Sequence, residues 1–262
     1  MDENKLRAYV KHGHHLVKGW LFPGAPEAIL LLSEAQRHTG LSGGAAEIGV
    51  HHGKLFILLY LLGEQDEAAV AVDLFSQQEL NLDRSGEGDL ERFKRNLERH
   101  ADTARLVVHE GDSKRLAGPR LIELGRGPLR LISIDGGHTS EITAHDLATA
   151  EEALAEGGIV ILDDCFKEMW PGVSDGVHRF FSQPRSIQPF AIGSNKTFFC
   201  QPGFAAKYGE ALRKLSARFV EQTFLGSPVI SFEFTPRTFG AWYRKVDAWR
   251  GIRRAYHDLL SR

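Results

Sequence analysis

A chain of 262 residues, 42 % hydrophobic and 25 % charged, has the material for one decorated α/β domain or two small ones. Its formal charge of −2 gives no electrostatic reason to bind nucleic acid or an anionic membrane. Cys165 and Cys200 suggest neither a disulfide framework nor a zinc knuckle, MDENKLRAYVKHGHH lacks the apolar core of a secretory signal, and the apolar run LFILLYLLG is shorter than the roughly 20 residues of a spanning helix. The expectation is a soluble cytoplasmic protein with reduced thiols.

In chain order, residues 1–44 are predicted to be a helical lead-in. Ala28, Leu31, Leu32 and Ala35 of PEAILLLSEAQRH fall at helical spacing, and Pro26 suits a first helical turn. His12, His14 and His15 form a patch read as an arm over the active site rather than a metal site. TGLSGG is a connector. From residue 45 the chain alternates in type: AAEIGV is a strand, KLFILLYLLGE a helix, AAVAVDLF a strand ending at Asp73, and DLERFKRNLERHA an amphipathic helix. Then follow a strand to Asp112 (ARLVVHEGDS), a helix (PRLIELGRG) and a strand to Asp135 (LRLISIDGGH). The helix EITAHDLATAEEALAEGG is expected to close at Gly157 and Gly158. In that helix, His145 and Asp146 are placed on a solvated face. The strand IVILDDCF ends at Asp163 and Asp164.

Alternating strands and helices imply right-handed βαβ units and a mostly parallel sheet with helices on both faces. KEMWPGVSDGVHRFFSQP reads as a lid and a helix, and IQPFAIGSNKTFFCQP as a hairpin. Residues 203–262 are predicted to be a helical extension, with a basic helix from Arg237 to Arg262. This divides the chain into 1–44, a core at 45–202, and 203–262.

The row of acids at the strand ends locates the chemistry. Open α/β sheets bind ligands at the carboxyl ends of their strands, and carboxylates gathered there need cationic or hydrogen-bonding partners. EIGVHHG follows a strand and opens a helix, but it lacks the middle glycine that lets a backbone approach a pyrophosphate. A donor without phosphate, such as S-adenosylmethionine (SAM), does not need that glycine. Glu47 suits its cationic end, Gly49 and Gly53 the turn, Asp73 the ribose hydroxyls, and Asp112 with Ser113 the adenine edge. The plain alternatives are a tight turn without ligand for the glycines and helix capping for Asp73 and Asp112. His51 and His52 are adjacent on a turn and point apart, so they do not suggest one metal ion; His52 or Lys54 could hold a SAM carboxylate.

The stretch from Glu47 to Cys200 resembles a class I SAM-dependent methyltransferase. That resemblance implies a Rossmann-like α/β fold, a seven-stranded, mostly parallel sheet whose last strand, NKTFFCQ, is antiparallel. IDGGHTSEITAHDLATAEEALAEGGIVILDDCF is similar to the metal-dependent macrocin and mycinamicin type of sugar O-methyltransferase. By resemblance, Asp135, Asp163 and Asp164 would be Mg²⁺ ligands and His138 a general base beside Asp135. Asp135 would also border the SAM site. The acceptor would be a sugar or a natural-product glycoside, and self-association is left open.

Methyl transfer from a sulfonium is an in-line displacement, so the protein must align the acceptor and make its oxygen nucleophilic. An imidazole with an ordinary pKa near 6.5 can take the proton, and a Mg²⁺ ion chelating vicinal hydroxyls would acidify them. Trp170 and Trp242 could stack on a sugar or simply pack, and the basic C-terminal stretch could meet an anionic substrate or solvent. The rivals are an NAD(P)-dependent oxidoreductase on a similar sheet, against which the missing glycine argues, and a SAM-binding module without turnover.

Overall fold

A computed structural model of the chain describes residues 2–235. The lead-in is two helices, α1 (Glu3–Lys11) and α2 (Ala25–Arg37). The core follows as β1 (Ala45–Ile48), α3 (Phe56–Leu62), β2 (Ala69–Asp73), α4 (Leu90–Glu98), β3 (Leu106–Glu110), α5 (Gly118–Gly125), β4 (Leu129–Ile134), α6 (Ser140–Ala153) and β5 (Leu154–Asp163). The chain continues through α7 (Pro171–Phe180), β6 (Gln188–Gly193), β7 (Lys196–Cys200), α8 (Pro202–Leu212), β8 (Ala217–Phe224) and β9 (Ser227–Phe234).

The strands form one sheet in the order β3-β2-β1-β4-β5-β7-β6-β9-β8. The first five are parallel, and β7 is antiparallel to both β5 and β6. Alternation along each strand splits the core into two layers. Ala45, Ala69, Leu131 and Ile159 pack with side chains of α1 to α4 and α8. Ala46, Val70, Ile132 and Val160 pack with α5, α6 and α7. The Rossmann-like class is as expected, with nine strands rather than seven.

The two extra strands replace part of the expected C-terminal helix. Helix α8 forms after Pro202, but residues 217–234 are a hairpin, β9 lying parallel to β6 at the sheet edge. Its turn, Leu225-Gly226, takes positive φ at both residues (51° and 76°). That backbone matches a two-residue hairpin, yet leucine in such a turn is no sequence signal for it. The basic stretch from Arg237 and the residue Trp242 lie outside the described residues.

A second correction concerns Gly157 and Gly158. Helix α6 already ends at Ala153, and the glycines sit inside β5. There the register with β4 jumps from Leu129–Leu154 to Leu131–Ile159. Gly157 has φ 77°, and its carbonyl accepts hydrogen bonds from Gln36 and Tyr208. The pair makes a bulge that admits α2 and α8, not a helix stop.

Helix α2 is tied to the sheet by Arg130 of β4, which is 2 % exposed. Its Nη1 donates to Ser33 Oγ (3.0 Å) and Gln36 Oε1 (2.9 Å), its Nη2 to the Leu62 carbonyl (2.8 Å), and Glu67 lies 3.8 Å away. A buried guanidinium with this many acceptors is a fixed joint, because removing partners would strand its charge.

Candidate active site at the strand ends

The carboxyl ends of β1 to β5 open into a cavity of about 600 Å³. Gly49, His51, Asp73, Asp112, Ser113, Asp135, His138, Asp163 and Asp164 all line it. Glu47 and Gly53 do not. Glu47 lies directly behind the turn, 2 % exposed, with Oε2 lacking a hydrogen-bond partner. Burial raises its carboxyl well above the ordinary range, and the nearby Asp135 adds to this. Gly53 faces α4 instead: a Cβ there would sit 2.6 Å from the Phe93 ring.

Gly49 is the contact that shapes the turn. Its φ is 89°, and a Cβ would fall 1.9 Å from the Asp135 carbonyl oxygen. Only glycine allows β1 and β4 to end side by side at this distance. Asp73 then orders the loops around it, Oδ2 accepting from the His51 amide (2.7 Å) and Oδ1 from the Phe75 amide (2.8 Å). Asp112 caps the next turn through the Lys114 amide (3.0 Å). Both acids thus do local structural work while facing the cavity, and each oxygen can accept a second bond.

The histidine pair is stacked, with ring centroids 3.8 Å apart, and the Trp20 ring lies tilted beside His51, centroids 5.7 Å apart. Burial lowers His51 to about 4, so it is neutral. Lys54 donates to the Gly19 carbonyl (2.8 Å) and holds the lead-in. His14 is bound to the Tyr9 carbonyl (3.1 Å). Asp146 is not solvated as expected: it is 1 % exposed and sits beside Ser113, and burial pushes its carboxyl up to about 7. It shares the inner face of α6 with Ile142, Thr143, Leu147 and Ala150, a spacing legible in the sequence.

His138 is clamped. Asp83 Oδ2 accepts from both its amide (2.6 Å) and its Nδ1 (2.9 Å), while Nε2 lies 3.2 Å from Asp164 Oδ2. Trp170 stacks on the imidazole, centroids 4.2 Å apart, and so packs on protein. Burial alone would lower the imidazolium, but the bonds to Asp164 and Asp83 outweigh it and raise it to about 9. Nothing in the pattern of the loop before α4 marks Asp83.

The expected metal ligands fit a divalent ion poorly. Among the described residues, ligand atoms of Asp135, His138 and Asp164 come within 4.8 Å of one another, and Asp163 falls outside that group. Asp163 is paired with the ammonium of Lys196. Asp164 Oδ1 accepts from Asn195 Nδ2 (2.6 Å) and lies 3.1 Å from Lys167 Nζ. His138 has carboxylates on both nitrogens. Mg²⁺ requires free oxygen donors in octahedral array, and here Asp163 and Asp164 are engaged by Lys196, Asn195 and Lys167.

The Methyltransferase domain family matches residues 46–165. No curated protein matches the chain in sequence. In structure it is similar to the O-methyltransferase NovP, at 18 % identity over 68 % of this chain and 80 % of that one, with TM-score 0.52. It is similar to the O-methyltransferase TomG from Streptomyces achromogenes, involved in tomaymycin synthesis and seen in complex with SAM (16 % identity, 76 % and 89 % covered, TM-score 0.52). It is also similar to CalS11, a TDP-rhamnose 3′-O-methyltransferase of calicheamicin biosynthesis (20 % identity, 75 % and 86 % covered, TM-score 0.51). These likenesses are of fold, and among the described residues no helix is long and apolar enough to cross a membrane. Residues 46–165 therefore carry a methyltransferase domain, set in a sheet whose fold the O-methyltransferases share.

Proposed function

We propose that the chain methylates a hydroxyl of a sugar or sugar-bearing small molecule. The observation that carries the reading is His138, fixed by Asp83 at the wall of the strand-end cavity beside Asp135. SAM, when bound, supplies an electrophilic methyl group on a sulfonium. The chain fits it through the Gly49 turn and through Asp73, Asp112 and Ser113 for the nucleoside, and the unpartnered oxygen of Glu47 lies just behind that turn, where a small shift of the turn would bring it to the ammonium end.

The acceptor hydroxyl approaches Nε2 of His138 in the place of the Asp164 contact. With SAM bound, the neutral Nε2 of His138 would take the hydroxyl's proton as the S–CH₃ bond gives way to the new O–CH₃ bond and S-adenosylhomocysteine leaves, and Asp83 on Nδ1 would stabilise the resulting imidazolium. Asp135 adds negative charge at the reacting end. The outer wall supports an acceptor with an apolar portion as well as a sugar: Trp20, Phe22, Leu80, Leu82 and Met169 line the mouth and are exposed. That chemistry suits a natural-product glycoside, and CalS11 has a sugar nucleotide in its name. No step is assigned to Mg²⁺.

The test is transfer of a radiolabelled methyl group from SAM to paired glycosides and aglycones. Label on a sugar hydroxyl is expected, whereas transfer confined to amines or to aglycone phenols would refute the acceptor class. A second prediction separates Glu47 from the rest. Because the folded state raises its pKa, the unliganded protein loses stability as pH rises above the ordinary 4.5. Glu47→Gln is expected to raise Tm at neutral pH and to weaken SAM binding by about tenfold or more, the scale of a hydrogen bond to a charged group. Calorimetry and thermal melts read the two effects, and a variant that loses Tm and keeps SAM affinity contradicts the role.

A further inference from the structure

We propose that Lys196 is a built-in cation that takes the place of a divalent metal, so that the site binds none and methyl transfer needs none. This rests on the methyltransferase reading. The expected ligand pair sits at the end of β5, and β7 runs antiparallel beside it with Lys196 directly opposite Asp163 in the ladder. The ammonium of Lys196 is ion-paired with Asp163 and 3 % exposed. Burial would pull its pKa down, but the carboxylates of Asp163, Asp135 and Glu47 more than offset that and keep it charged.

The hairpin turn completes the arrangement. Ser194 and Asn195 take φ of 51° and 64°, a two-residue turn that leaves Lys196 at the first position of β7. The same turn brings Asn195 onto Asp164, which itself has φ 61°. One acid of the pair is held by Lys196, the other by Asn195, Lys167 and His138.

A structural ion pair alone does not account for this placement. Burying a lysine against carboxylates is costly and is often matched or bettered by apolar packing. Here Lys196 stands at the cavity end of the sheet among the buried carboxyls of Glu47, Asp135 and Asp163, where its ammonium supplies the positive charge that a metal ion would otherwise bring. An ammonium fixed by the fold supplies that charge without titrating an ion from solution.

Electron paramagnetic resonance of Mn²⁺ added to the full-length protein, with and without S-adenosylhomocysteine (SAH), tests the idea. The wild type is expected to leave the free Mn²⁺ signal intact to about 1 mM, far above the micromolar range of dedicated cation sites. Lys196→Gln, checked for folding by circular dichroism, is expected to gain Mn²⁺ affinity by about tenfold or more as Asp163 is released. One tightly bound Mn²⁺ in the wild type, weakened by Asp163→Asn, overturns the proposal. So does a folded Lys196→Gln protein that gains no Mn²⁺ affinity. If the glutamine variant does not fold, the wild-type titration decides alone. Calorimetry with SAH on the same samples keeps the methyltransferase reading separate, because its failure leaves the Mn²⁺ result standing.

Discussion

Replacing His138 with glutamine is expected to lower kcat by about 10²–10⁴-fold, the usual contribution of a positioned general base, while SAH affinity stays within a few-fold. Glutamine keeps a polar side chain between Asp83 and Asp164 but cannot take a proton. The wild-type pH profile carries the sharper signature. With the imidazolium held up to about 9, the neutral base is scarce at pH 7 and appears as pH rises. The rate should therefore climb through neutrality and level off near pH 9, and the variant should lack that rise. Stability has the opposite sign. The charged His138 clamp contributes fully below its ordinary 6.5 and is lost as pH rises through about 9. A variant with unchanged kcat, or one that loses SAH binding in parallel, contradicts the assignment of His138 as the base.

Gly49→Ala is expected to weaken SAH binding by about 100-fold or more, the scale of an ångström-sized displacement at a reacting site. A methyl group there meets the backbone of Asp135, which cannot rotate away, at a φ that side chains rarely adopt. Either β1 or the end of β4 must move, and both carry cavity residues. Gly53→Ala is the control. Its φ is 88°, but the clash is with the Phe93 ring on the helix side. It should lower Tm and leave SAH affinity within a few-fold. Equal losses of SAH affinity in the two variants would mean that the turn acts through folding alone.

Much of the core was legible because its code is local. Apolar runs ending in Asp73, Asp135 and Asp163 place the strand ends, and parallel pairing brings those ends to one rim. What escaped depends on long-range register or on irregular backbone. Asp83 reaches His138 from a loop without periodicity. Lys196 faces Asp163 only because a two-residue turn and an antiparallel ladder fix the register. The glycine pair at 157–158 has the composition of a helix stop, and its bulge is set by Gln36 and Tyr208 from other elements. Residues 217–234 lack the alternating burial of a half-buried strand on β8, whose side chains are mostly exposed. Asp146 is the instructive miss of another kind. Its helical spacing, in step with Ile142, Leu147 and Ala150, points inward, whereas its charge points to solvent.

Titration calorimetry of the wild-type chain with SAH, with NADPH as the control ligand, tests the central claim most directly. The structure of the Gly49 turn, with Glu47 behind it, predicts one SAH bound per chain and no heat from NADPH. Saturable NADPH binding with none of SAH would contradict it.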